Sequence, residues 1–115
     1  MRTTRNDRGI MQIKPGVSLK QLKPQMVLAA IIVDQCFGGQ NLPCVVTAGD
    51  DGTHMKGSLH YRGLALDFRT NHVGDAMLLH RIITNIKTRL GGDYDVVPEG
   101  DHLHVEWDQH GRVVG

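Results

Sequence analysis

Asp67 stands inside an alternating apolar run, Leu64-Ala65-Leu66-Asp67-Phe68-Arg69, and constrains the fold more than any other residue. Period-two alternation marks a half-buried strand, here with Leu64, Leu66 and Phe68 on one face and Ala65, Asp67 and Arg69 on the other. Aspartate is depleted from strands, so in this setting it needs a partner, and a metal is a good one. A second alternating run, His102 to Trp107, puts His102, His104 and Glu106 on one face and Leu103, Val105 and Trp107 on the other. Pairing the two strands brings Asp67 and His104 onto one surface. His60 enters the same surface from the segment before Asp67. Three such donors with one open position is the arrangement of a catalytic zinc, because a structural zinc is normally closed by a fourth side chain. The spacing is not that of a helical His-Glu-x-x-His site. His60, Asp67 and His104 are therefore the candidate metal ligands, carried on strands and adjoining loops.

The rest of the chain supplies a scaffold for these strands. Residues 1–17 read as an irregular lead-in ending at Pro15-Gly16, and Ser18 suits the cap of a short turn. Pro24 suits a first helical position, where its missing N–H costs nothing. Met26, Val27, Ala30, Ile31 and Asp34 follow at helical spacing, and Gly38-Gly39 end the helix. Pro43 to Thr47 is short and β-branched, a strand. Ala48 to Gly57 is a glycine-rich, acidic loop. Asn71 is placed to cap a long helix whose stripe is Ala76, Leu79, Ile83, Ile86 and Leu90, ended by Gly91-Gly92. Asp93 to Val97 and His102 to Trp107 form a pair of strands joined through Pro98-Glu99-Gly100. The order helix, strand, strand, helix, strand, strand predicts an α+β fold, a small mainly antiparallel sheet carrying the metal site and flanked by two helices.

A chain of 115 residues is one domain by length, spanning 1–115, and long enough to bury a core without disulfides. Two cysteines do not make a disulfide scaffold, and Cys36 and Cys44, although they could pair, are expected as buried reduced thiols; nothing near them has Cys-x-x-Cys spacing, so neither is expected as a metal ligand. The net charge is +1 with neutral histidines, and no basic stripe with interleaved aromatics predicts a nucleic-acid partner. The loose cluster Arg2, Arg5 and Arg8 reads as a solvated terminus. The apolar run Met26 to Val33 is too short to span a bilayer, so membrane insertion is not expected. No secretory apolar segment follows Met1, which predicts a protein made in the cytoplasm without a signal peptide.

The pattern Ser58-x-His60-x-x-Gly63-x-Ala65-x-Asp67, followed by Asp101-x-x-His104 within a His-x-His, resembles the zinc D-alanyl-D-alanine carboxypeptidase and L-alanyl-D-glutamate endopeptidase family. These are peptidoglycan peptidases, many of them encoded by phages or cell-wall systems. The resemblance runs from about Val45 to Trp107. It implies Zn2+ on His60, Asp67 and His104, and hydrolysis of a peptide bond in the peptidoglycan stem peptide. It implies Asp101 as the catalytic acid and base, and His102 as the extra histidine that stabilises the oxyanion. Ser58 and Gly63 match positions that shape the ligand loop. Asp101 lacks the strand parity to share a face with His104, and Glu99-x-x-His102 offers a competing acid and ligand pair. Asp101 with His104 is the pair that follows the family's order. The resemblance also implies action at the cell wall, after release or on a virion.

One departure bears on the substrate. Many members carry an Arg after the first strand that helps hold the substrate, whereas this chain has Ala48-Gly49-Asp50-Asp51 there. His54, Lys56 or Arg62 remain as nearby sources of positive charge, and Ser58 lies beside the ligand loop. Two acids facing a terminal carboxylate would repel it, which predicts an endopeptidase in preference to a carboxypeptidase. The alternatives are a catalytically inactive zinc-containing binding module and a structural phage protein.

Overall fold

The computed structural model describes residues 11–51 and 58–108. Its elements run β1 (Gln12–Ile13), α1 (Pro24–Gly38), β2 (Val45–Ala48), a 3-10 helix (Leu59–Arg62), β3 (Ala65–Arg69), α2 (Ala76–Leu90), β4 (Tyr94–Glu99) and β5 (His102–Trp107). The fold is α+β, with the strands in one sheet of order β1-β2-β3-β5-β4. All pairings are antiparallel except β1 with β2.

Both helices pack on one face of this sheet and on each other. Alternation along β3 and β5 sends Leu66, Phe68, Leu103 and Val105 to that face, where each is at most 1% exposed. They meet Met26, Val33 and Phe37 of α1 and Ile82, Ile83, Ile86 and Leu90 of α2. Full burial of one such side chain contributes roughly 1.5–3 kcal/mol, so this layer holds the sheet to the helices. Among the described residues neither α1 nor α2 covers the opposite face, which carries the polar residues of β3 and β5 and meets the 3-10 helix. In the β3–β5 register Asp67 pairs with His104 and Arg69 with His102.

Several local expectations are corrected. Gln12 and Ile13, expected in an irregular lead-in, form a strand that borders β2 in parallel, a pairing that needs the intervening helix as its crossover. The helix α1 turns Val27 and Ile31 outward, 46% and 47% exposed, and buries Met26, Ala29, Ala30 and Val33 instead. It is apolar nearly all round, so spacing alone could not select its buried side. Asn71 does not cap α2. Asp75 does, accepting from the N–H groups of Met77 at 2.9 Å and Leu78 at 3.2 Å. Ala76 is exposed, and Ile82 joins the buried stripe. Pro98 and Glu99, expected in the connection, belong to β4, leaving Gly100 and Asp101 as the turn. Proline is tolerated there because β4 is an edge strand. Cys36 and Cys44 are buried and unbridged, as expected, and burial pushes both thiols up.

Candidate metal centre

Each donor reaches the open face by a different route. Asp67 projects from the middle of β3, 9% exposed, and His104 from the paired position of β5. His60 lies in the 3-10 helix, 3% exposed. Ser58 caps that helix by accepting from the His60 N–H at 3.1 Å, and Gly63 ends it with φ 72°. A side chain at Gly63 would also collide with the Gln21 carbonyl, so glycine is required both for the left-handed turn and for close packing. Gly49 is confined in the same way by the Ser18 carbonyl.

The three donor atoms form a tight triangle. His60 Nε2 lies 3.2 Å from His104 Nδ1, His60 Nε2 lies 3.2 Å from Asp67 Oδ1, and His104 Nδ1 lies 3.0 Å from Asp67 Oδ1. Bonds of ~2.0–2.1 Å at tetrahedral angles separate ligand atoms by roughly 3.3 Å, so the spacing suits one zinc-sized ion. The outer nitrogens support the same conclusion. His60 Nδ1–H donates to the Gly49 carbonyl at 2.9 Å, and His104 Nε2–H donates to Glu106 Oε1 at 2.7 Å. With those protons committed, two imidazole lone pairs and a carboxylate oxygen converge on one point. Only a cation satisfies such a cluster, and this orientation by outer partners is how metal-binding histidines are held.

The electrostatics show the same demand. Burial raises the Asp67 carboxyl, but the hydrogen bond from His104, with the His60 and His102 rings close by, outweighs it and holds the group far below the usual range. The bond to Asp67 lifts His104 to about 9, against its burial and with help from Glu106. Without a metal, a proton on His104 takes the cation's place.

The residues expected to perform catalysis lie beside this triangle. His102 Nδ1 bonds Asp101 Oδ1 at 3.0 Å, while its Nε2 lies 3.2 Å from Glu99 Oε1 and 3.8 Å from Asp67 Oδ2. Thus both rival acids, Asp101 and Glu99, flank His102, and neither bonds a metal donor. Asp101 is in the β4–β5 turn, which resolves its parity: it belongs to neither strand face. Burial lowers the His102 pKa, but Asp101, Asp67 and Glu99 together raise it, and the bond from His102 lowers that of Asp101. Alongside the triangle is a cleft of about 290 Å³, lined in part by Lys14, Asp67, Arg69, Asn71, Asp101 and His102.

Of the other expected site residues, Arg62 is exposed on the 3-10 helix, while His54 and Lys56 lie outside the described residues, as do Arg2, Arg5, Arg8 and His110. Asp50 and Asp51 bind backbone N–H groups. Asp51 Oδ1 accepts from the N–H groups of Ser18 and Gly49 at 3.0 and 2.8 Å, and Asp50 Oδ2 accepts from that of Gln21 at 2.7 Å. They tie residues 18–21 to the loop that follows β2. His72, to which the sequence assigns no role, stacks on Phe37 at 5.6 Å and donates to the Pro43 carbonyl at 2.9 Å. Lys14 and the outer partners of the ligands escape sequence reasoning. Only the shared face of His104 and Glu106 signalled one of them. A further acidic group, Asp95, Glu106 and Asp108, adjoins His104 through Glu106. No helix among the described residues is long and apolar enough to cross a membrane. No family model, curated protein or solved structure matches this chain.

Proposed function

We propose that the chain is a zinc-dependent peptidase that hydrolyses a peptide bond in the peptidoglycan stem peptide, of the kind its two motifs resemble. The observation that carries this reading is the triangle of His60 Nε2, Asp67 Oδ1 and His104 Nδ1, with edges of 3.0–3.2 Å and both histidine N–H groups committed outward. A bound zinc supplies a Lewis acid that polarises the scissile carbonyl and makes water nucleophilic near neutral pH. Asp101 takes the proton of the attacking water and returns it to the leaving amine. His102, raised in pKa by Asp101, Asp67 and Glu99 and held by Asp101 on one nitrogen and Glu99 on the other, would bear on the negative charge that develops on the carbonyl oxygen. Among the described residues α1 and α2 both lie on the other face of the sheet, which supports an extended peptide along β3 and β5 on the polar face.

Digestion of purified peptidoglycan, with mass analysis of the fragments, tests this. New amino ends or released D-alanine should appear with the zinc-loaded protein, disappear with chelator and return on adding zinc. Stoichiometric zinc without any cleavage would replace the enzyme by a zinc-containing binding module. Wall cleavage indifferent to chelator would remove the metal from the chemistry.

A further inference from the structure

The cleft beside the candidate metal donors holds two cations, Lys14 and Arg69, that form no hydrogen bond or ion pair with a described acid, although the charge of Lys14 acts on the Asp101 carboxyl across the cleft. Lys14 follows β1 and is placed by its own N–H, which bonds the Val46 carbonyl at 2.9 Å. Arg69 ends β3 on the polar face, half-buried and in register with His102. Neither side chain has an ion pair or hydrogen bond among the described residues. The acids that share the cleft are already occupied. Asp101 bonds His102, and Asp67 Oδ1 bonds the two histidine ligands. Asn71 adds an amide to the same wall. The planar fork of the Arg69 guanidinium matches a carboxylate bidentately. A volume of about 290 Å³ accepts one acidic residue or chain end rather than a long segment.

We infer that Lys14 and Arg69 form a carboxylate-binding subsite, with Asn71 as a third donor, that holds an acidic group of the substrate next to the metal centre. The inference rests on the peptidase reading only for the identity of the ligand as a peptide. A stem peptide offers two sources of that chemistry, the free α-carboxylate of its γ-linked D-glutamate and its terminal carboxylate. The subsite supplies the positive charge that the loop 48–51 lacks, from different strands and a different part of the chain.

Binding calorimetry with the zinc-loaded full chain tests it independently of turnover. The probes are L-Ala-γ-D-Glu-L-Lys peptides with N-methylated, uncleavable amides, carrying both carboxylates, either one, or neither. The form with both should bind roughly tenfold or more tightly than the form with neither, as expected for a charge-assisted pair. Whichever singly amidated form loses that preference identifies the source. Arg69→Gln and Lys14→Gln should each abolish or sharply reduce the preference while leaving the fully amidated peptide unaffected, and Arg69→Lys should retain part of it. Should Arg69→Gln fail to fold, Lys14→Gln carries the test, because Lys14 is exposed. Equal binding of charged and amidated peptides by the wild-type protein, or a preference that survives Lys14→Gln and any folded Arg69→Gln, would overturn the inference. A carboxylate preference without wall cleavage would keep the subsite and remove the peptidase; wall cleavage without the preference would do the reverse.

Discussion

His104 is fixed at both ring nitrogens, by Asp67 at 3.0 Å and Glu106 at 2.7 Å. Glu106 therefore selects the tautomer that leaves Nδ1 for the metal. Glu106→Gln should weaken zinc binding by roughly 10–100-fold, measured by competition with a chromogenic chelator, while the far-ultraviolet spectrum stays unchanged. His104→Ala and His60→Ala should each lose most of the bound zinc by elemental analysis, and full retention in both would remove the metal assignment. The two acids on His102 are separated by kinetics. Asp101→Asn should keep the zinc and reduce turnover by roughly 10²–10⁴-fold, with Glu99→Gln much milder. A crippled Glu99→Gln beside an active Asp101→Asn would exchange their roles.

At the scale of elements, the start of α2 distinguishes two residues that look alike in sequence. Asp75 satisfies the N–H groups of Met77 and Leu78, whereas Asn71 lines the cleft. Asp75→Ala should cost about 1 kcal/mol in chemical denaturation. Asn71→Ala should leave the helix cap intact and lower stability by no more than about 0.5 kcal/mol, the usual range for sites away from such features. Equal losses in the two variants would contradict the cap assignment. The 3-10 helix depends on Gly63 in the same direct way, since its φ of 72° and the adjacent Gln21 carbonyl both exclude a side chain.

For the whole molecule, a metal at the His60, Asp67 and His104 triangle would join parts that the core does not. The helical layer binds β3 and β5 through Leu66, Phe68, Leu103 and Val105, whereas His60 comes from a short helix outside that core. A cation held by all three donors would tie this helix to the sheet and stabilise the native state by mass action, about 4 kcal/mol at a free concentration a thousand times the dissociation constant. Chelation should therefore lower the melting temperature of the wild-type protein. His60→Ala should melt lower at the outset and respond little to chelator. A wild-type melting temperature indifferent to chelator would show that the site does not couple to folding. On the other side of the sheet, Phe68→Ala should cost roughly 3–5 kcal/mol whether or not metal is present.

Period two is a local property, so the two alternating strands were legible in the sequence: it placed Leu66 and Phe68 inward and Asp67 and His104 outward, and it singled out His60, Asp67 and His104, which the fold brings together. Its α+β class followed from the same patterns. The buried side of α1 was not legible, since Val27 and Ile31 are as apolar as the residues that are buried. Nor was β1, whose short span has meaning only beside β2. Only the tertiary structure decided that Asp50 and Asp51 bind backbone, that Asp101 and Glu99 both meet His102, and that Lys14 and Arg69 line one cleft. Each depends on contacts between residues distant in the chain or on the path of a turn, and none is set by the periodicity of a single segment.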